Sequence, residues 1–114
     1  MSYPLVTRNV HIYEAVDDER VHQERLCESG KFLHTCASPD FIAFTQFGRA
    51  AVLGEEYGEV CRAALDVEKV AEGRHEPAAS RARLRKELIQ VCAVAVAWIE
   101  ALDYYPPAPA KETP

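Results

Sequence analysis

The chain has 114 residues, of which 48% are hydrophobic and 27% are charged, and its formal net charge is -5 at pH 7. This length and composition predict a single globular domain with one modest core. The acidic balance argues against a surface that coats nucleic acid, so no nucleic-acid partner is expected, and an anionic ligand would need a metal ion or a focused cluster of basic side chains.

The N-terminal stretch MSYPLVTRNVHIYEAVDDER lacks the basic start and the apolar run of a signal peptide, so we expect a cytoplasmic protein. The apolar run LIQVCAVAVAWI is too short to span a membrane and contains Gln90, so no membrane partner is expected. The four cysteines are Cys27, Cys36, Cys61 and Cys92. We expect them to be reduced and mostly buried, because Cys61 and Cys92 fall inside amphipathic patterns.

The first predicted helix covers about 11–28 and is rich in charge, with few apolar residues to bury. The loop after it ends in Ser38, Pro39 and Asp40. A serine N-cap, a proline at the first helical position and an acidic residue in the first turn together predict a helix start.

The second predicted helix therefore runs from about 39 to 70, with a break or bend allowed near Gly48 or Gly54. The third begins after Ser80, a second N-cap candidate, and continues to about Asp103. The tail at 104–114 is rich in proline and cannot be helical throughout. The sequence thus predicts an all-α domain at 1–103, a bundle of three to four main helices, and a Pro-rich extended or disordered tail.

The second helix has an apolar stripe formed by Leu53, Tyr57, Val60 and Ala64. At about 100° per residue, Glu56 lies roughly 60 to 70° to one side of this stripe and Glu59 roughly 130°, whereas Glu55 falls near the opposite face. Two of three neighbouring glutamates are thus expected to flank the packed face.

The third helix has a stripe formed by Leu84, Leu88, Val91, Ala95, Trp98 and Leu102. Glu87 lies roughly 70° and Gln90 roughly 130° from its centre, on the same side as the glutamates of the second helix. A short connection favours antiparallel packing of the two helices through these stripes. Such packing would gather Glu56, Glu59 and Glu87 at one edge of the interface, with Gln90 nearby.

Three carboxylates at the rim of a core are unstable unless they are protonated or bound to a cation, because desolvation and mutual repulsion disfavour their charge. Oxygen ligands without histidine suit Mg²⁺ or Mn²⁺ better than zinc. Arg49 and Arg83 fall on the carboxylate side of their helices and are candidates to bind phosphate oxygens. The alternative reading is a solvated acidic flank, since ExxE is common in helices.

Two segments resemble a known family. EEYGEV at 55–60 and LRKELIQVCAVAVAWIEAL at 84–102 resemble the all-α MazG-like nucleoside triphosphate pyrophosphohydrolases, especially the short phage and actinobacterial members. ERVHQ at 19–23 adds a weaker similarity to the RxxQ segment of those chains. The KWG that commonly follows there is missing from RLCESGKFLH, so the resemblance assigns no role to Lys31 or His34.

The resemblance implies Mg²⁺-dependent hydrolysis of a nucleoside or deoxynucleoside triphosphate to the monophosphate and pyrophosphate. Carried over by position, it implies metal ligation by Glu56, Glu59 and Glu87, with Glu56 or Glu59 contacting the attacking water. The wider family has aspartate where this chain has Gln90, an amide that can bind a cation or a water through its oxygen but adds no charge.

A second apolar face on the third helix, made of Ile89, Cys92, Val96 and Ile99, predicts a homo-oligomer because two neighbouring helices cannot cover both faces. Burial under the N-terminal segment of the same chain is the alternative. The resemblance implies a dimer or a tetramer. Its guanine-directed phage branch, MazZ, makes dGTP or GTP a candidate substrate, with base recognition expected from the loop at 29–40 or from a partner subunit.

Other functions compete with this hypothesis. A noncatalytic helical oligomer that binds nucleotide or a partner protein is favoured by the amide at position 90. A zinc module would use Cys27, His34 and Cys36, with His22 as a further ligand, but it lacks the paired CxxC spacing. A carboxylate-bridged di-iron bundle would need two ExxH motifs, and the second, at 72–75, falls at a helix break.

Overall fold

The computed structural model describes residues 9–29, 45–69 and 77–104. They form three α-helices, α1 (Val10–Glu28), α2 (Gln46–Lys69) and α3 (Pro77–Tyr104), and these ranges contain no strand. The predicted all-α class is therefore confirmed for the described residues. None of these three helices is long and apolar enough to cross a membrane.

The helix ends follow local capping chemistry. Asn9 precedes α1, and its side chain accepts a 3.4 Å hydrogen bond from the backbone N–H of Ile12. At the start of α2 the hydroxyl of Thr45 accepts a 2.9 Å bond from the backbone N–H of Gly48. The start predicted for the second helix at 38–40 lies outside the described residues.

Two predicted features of α2 and α3 differ from the structure. The α2 helix is continuous through Gly48 and Gly54, so the break that the sequence allowed there is absent. The α3 helix begins at Pro77, one turn before the predicted start, since proline is well suited to the first helical position. Ser80 is buried within its first turn.

The α2 and α3 helices pack against each other in antiparallel fashion. Near one end, the indole Nε1 of Trp98 donates a 2.6 Å hydrogen bond to Oε1 of Gln46. Near the other, Nη1 of Arg83 lies 3.0 Å from Oδ2 of Asp66. The start of each helix is thus joined to the end of its partner, which confirms the predicted antiparallel pairing.

The α1 helix packs on α3 through a buried arginine. Arg20 is only 5% exposed, and its guanidinium donates to Glu100 through Nε at 3.2 Å and Nη2 at 2.7 Å. Nη2 also donates to Glu24 at 2.7 Å, and Nη1 donates to Gln23 at 3.3 Å. Burial lowers the pKa of Arg20, but the hydrogen bonds and charges of the two carboxylates outweigh burial and raise it.

Arg49 of α2 lies beside this group and is also 5% exposed. Its pKa is lowered, first by burial and then by the charge of Arg20, while Glu24 acts in the opposite direction. We call Arg20, Gln23, Glu24, Glu100 and Arg49 the arginine cluster. It brings side chains of all three helices together.

The buried faces of α2 and α3 are rotated from the predicted apolar stripes. Tyr57 is 63% exposed and Leu88 is 46% exposed, although both were expected in the core, and Leu102 is exposed as well. The buried residues of α2 are instead Arg49, Val52 and Ala63. The prediction was wrong in helical phase because it ranked positions by hydrophobicity alone, and the polar contacts of Arg49, Asp66 and Arg83 turn the helices differently.

The cysteines also differ from expectation. Cys27 is buried but disulfide-bonded, whereas Cys61 and Cys92 are free but exposed. Cys61 faces outward on the rotated α2, where its hydrogen bond to Tyr57 raises the pKa of that phenol. The disulfide removes Cys27 as a thiolate ligand for the alternative zinc module.

Replacing Arg20 with methionine should lower the free energy of unfolding by about 1 to 3 kcal/mol. Glu100 and Glu24 would lose their donors, but their side chains are 34% and 38% exposed and can partly hydrate, which limits the loss. Urea unfolding followed by circular dichroism measures the change. The matched variant Arg25→Met, at an exposed position of the same helix, should stay within about 0.5 kcal/mol. An equal loss in both variants would contradict the assigned role of Arg20.

Candidate active site between α2 and α3

The two contacts that join α2 to α3 determine which residues lie level with each other. Between the Gln46–Trp98 and Asp66–Arg83 contacts the helices advance in opposite directions at the same rise per residue. Interpolation places Glu56 level with about residue 90 and Glu59 level with about residue 88. The predicted carboxylates of the two helices therefore lie at matching heights.

The observed helical phase turns the same residues toward the buried faces of their helices. Relative to the buried positions of α2, Glu56 lies about 15° and Glu59 about 45° from the centre of the face. Relative to Val94, Ala97 and Ala101, Gln90 lies about 15° and Glu87 about 45° from the centre of the α3 face. We call Glu56, Glu59, Glu87 and Gln90 the facing row. Its members were predicted at the edge of the packed faces, whereas the structure turns them closer to the centres of the buried faces.

All four side chains of the facing row are half-buried, whereas Glu55 is exposed, as the sequence predicted. Glu59 forms an ion pair with Arg62 at 3.5 Å, one turn along the surface of α2. Within the described ranges, the side chains of Glu87 and Gln90 form no hydrogen bond or ion pair with any other side chain. Two half-buried polar groups on α3 are therefore available to a ligand on the side that faces α2.

The four oxygen-bearing side chains of the facing row share a level on two packed helices. Among the residues that the structure describes, no group of three or more His, Cys, Asp or Glu side chains is arranged to hold a metal ion. The row comprises three carboxylates and one amide, all with oxygen donors of the kind that Mg²⁺ prefers.

The two predicted phosphate-binding arginines occupy different environments. Arg49 is buried in the arginine cluster, about two turns before Glu56 on the same face of α2. Arg83 lies one turn before Glu87 on α3, where it is bound to Asp66, and its side chain is 45% exposed. Of the two, Arg83 is the one that a ligand in solution can reach without displacing the core.

Sequence reasoning missed the arginine cluster and the partner of Arg83. Glu100 carried a usable signal, because it is the single charged residue between positions 88 and 102 of an otherwise apolar helix. A charge in such a position needs a buried partner. The RxxQ similarity at 19–23 singled out Arg20 and Gln23 but did not connect them to Glu100, and nothing marked Asp66 as the partner of Arg83.

An open groove of about 360 Å³ lies beside the arginine cluster. Asp17, Glu24, Glu28 and Glu100 contribute four carboxylates to its lining, and Arg20 and Arg25 contribute two guanidinium groups. Glu24 and Glu100 are already bound by Arg20, so two of the four carboxylates are engaged in the arginine cluster. Glu87 and Gln90 of the facing row have no such partner in the described ranges, which makes the row the better candidate for a metal-dependent phosphate site.

No protein-family model, curated protein or solved structure matches this chain. The resemblance of 55–60 and 84–102 to MazG-like enzymes remains a hypothesis.

Replacing Glu87 with leucine should raise the free energy of unfolding by about 0.5 to 1 kcal/mol. The variant exchanges a half-buried carboxylate without a partner in the described ranges for an apolar side chain at a helix interface. Thermal or urea unfolding measures the change. The control Glu55→Leu, at an exposed position, should change stability by less than about 0.5 kcal/mol. A loss of stability in Glu87→Leu would show that the carboxylate is a structural group.

Proposed function

We propose that the protein is a Mg²⁺-dependent nucleoside triphosphate pyrophosphohydrolase that converts a nucleoside or deoxynucleoside triphosphate to the monophosphate and pyrophosphate. The observation that carries the proposal is the facing row, whose half-buried carboxylate and amide side chains lie at matching heights on two antiparallel helices. Burying such groups costs stability, and a bound cation would offset that cost. The resemblance to MazG-like enzymes supports the same chemistry.

The side chains of the facing row carry the oxygen donors that Mg²⁺ prefers. Glu56, Glu59 and Glu87 would hold Mg²⁺, or Mn²⁺, through carboxylate oxygens, and Gln90 would contribute an amide oxygen or orient a water. Bound there, the ion would neutralise charge on the triphosphate. With an amide at position 90, the site has one negative charge fewer than the ExxE and ExxD pattern of the wider family.

The side chains of the chain supply the remaining steps. Glu56 or Glu59 would accept a hydrogen bond from the attacking water and orient it toward a phosphorus of the triphosphate. Arg83, one turn from Glu87, would donate to phosphate oxygens, and Arg49 would add positive charge from the buried side. Half-burial of the row limits competing water and strengthens these interactions.

The proposed enzyme acts as a homo-dimer or homo-tetramer. Leu88, Ile99 and Leu102 are exposed on α3, and Tyr57 is exposed on the neighbouring α2. A second copy of the chain would cover this apolar surface. Guanine nucleotides, dGTP or GTP, are the candidate substrates by resemblance to the phage branch.

A noncatalytic nucleotide-binding or protein-interaction oligomer is the second candidate. The amide at position 90 favours it, since a site with lower negative charge binds a divalent cation less tightly. The nucleotide-binding form of this candidate and the enzyme both predict that a nucleotide binds, and only the enzyme predicts turnover.

Turnover is tested with the purified protein, Mg²⁺ and each common ribo- and deoxyribonucleoside triphosphate, with separation of the products. Monophosphate plus pyrophosphate is the expected result. Diphosphate plus phosphate would mean cleavage at the other phosphoanhydride bond, and the absence of turnover would leave the noncatalytic candidate.

The variant Glu56→Gln should lower kcat/KM by about 100-fold or more, because it removes a charged metal ligand from the centre of the facing row. The matched control Glu55→Gln changes the neighbouring exposed residue and should keep most of the activity. Circular dichroism checks that both variants fold. Equal loss in the two variants would contradict the assignment of the row.

A further inference from the structure

The ion pair between Asp66 and Arg83 connects α2 to α3 beyond one end of the facing row. Nη1 of Arg83 lies 3.0 Å from Oδ2 of Asp66. The two partners differ in exposure, since the side chain of Asp66 is 19% exposed and that of Arg83 is 45% exposed. Solvent therefore reaches the guanidinium more easily than it reaches the carboxylate.

Arg83 lies close enough to the facing row for its guanidinium to reach a ligand bound there. Arg83 precedes Glu87 by one turn, which is about 6 Å along the α3 axis. An arginine side chain is long enough to cover such a distance, so its guanidinium can reach a phosphate held beside Glu87. Guanidinium groups bind phosphate and carboxylate through the same donor geometry. A phosphate oxygen and the Asp66 carboxylate would thus use the same donors.

We propose that Asp66 is an intramolecular competitor for the phosphate oxygens of the ligand. When a polyphosphate binds with Mg²⁺ at the facing row, Arg83 exchanges the Asp66 carboxylate for phosphate oxygens. Without the ligand, the ion pair holds Arg83 at the end of the row and neutralises its charge. The inference rests on the proposed function for the location of the ligand, and it adds the group that regulates access to Arg83.

The exposures of the charged groups support an exchange rather than a permanent bond. An ion pair with one half-exposed partner is weak, because water competes for the exposed group. Arg49 contrasts with Arg83, since it is buried among the other groups of the arginine cluster and an exchange there would disrupt contacts of all three helices. The Asp66–Arg83 pair can open at a smaller cost.

The proposal predicts that removing Asp66 and removing Arg83 change ligand affinity in opposite directions, and a purely structural ion pair predicts no change in affinity. If the pair only joins two helices, removing either partner lowers stability and leaves ligand affinity unchanged. If Asp66 competes with the ligand, removing Asp66 tightens binding, because a rival acceptor and a negative charge are lost. Removing Arg83 weakens binding, because the shared donor is lost.

The test measures binding of inorganic tripolyphosphate with Mg²⁺ to the full chain by isothermal titration calorimetry. Asp66→Asn should tighten binding about two- to fivefold, as expected for release of a weak ion pair. Arg83→Gln should weaken it about tenfold or more, as expected for loss of a charge-assisted hydrogen bond. Arg83→Lys, which keeps the charge but loses the planar fork, should fall between wild type and Arg83→Gln.

Two controls separate a specific effect from a change of net charge. Glu68→Gln removes a negative charge from an exposed position near Asp66 on α2, and Arg85→Gln removes a positive charge from an exposed position near Arg83 on α3. Both should change affinity by less than about twofold, because exposed charges are screened. Thermal unfolding of each variant establishes that it folds.

Opposite signs for Asp66→Asn and Arg83→Gln support the inference. Weaker or unchanged binding in Asp66→Asn overturns it, as does wild-type protein that binds no tripolyphosphate with Mg²⁺. A result in which the controls match the test variants also overturns it. If the opposite signs are found but no nucleoside triphosphate is hydrolysed, the proposed catalysis fails while the competition between Asp66 and phosphate stands.

Discussion

The buried guanidinium of Arg20 is the interaction on which the packing of α1 depends. The helix has few apolar side chains and exposes several of them, so hydrophobic burial alone would hold it weakly against α3. Bidentate hydrogen bonds to Glu100 replace part of that missing burial and fix the register of the two helices. A buried arginine costs desolvation, and the network of Glu100, Glu24 and Gln23 satisfies its donors.

A second group of polar residues, the facing row, has the opposite character. The arginine cluster is a network of paired charges, whereas the side chains of Glu87 and Gln90 have no hydrogen bond or ion pair in the described part of the chain. Satisfied networks stabilise a particular arrangement, and half-buried groups without partners reduce stability. The three helices thus combine one polar network that stabilises their packing with a second polar group whose cost a bound ligand would offset.

The sequence predicted the helices and their pairing, but it did not predict which face of each helix is buried. Three helices, their approximate ranges and the antiparallel pairing followed from periodicity and turn residues. The direction of each helix face did not, because Tyr57 and Leu88 are as hydrophobic as the residues that the interface buries. The contacts that decide the rotation join Gln46 to Trp98 and Asp66 to Arg83, residues 52 and 17 positions apart. Such pairings between distant positions cannot be inferred from a local pattern.

The rotation of α2 and α3 has two consequences that belong together. Turning Glu56 and Gln90 toward the interface turns Tyr57 and Leu88 toward solvent, since these positions lie about 100° and 160° away on their helices. A bundle that buried its most apolar stripes would leave the carboxylates at the edge and lose the facing row. The proposed metal site and the proposed homo-oligomer therefore both depend on this rotation of α2 and α3. When polar side chains face the interface, apolar side chains face solvent, and a second copy of the chain would cover them.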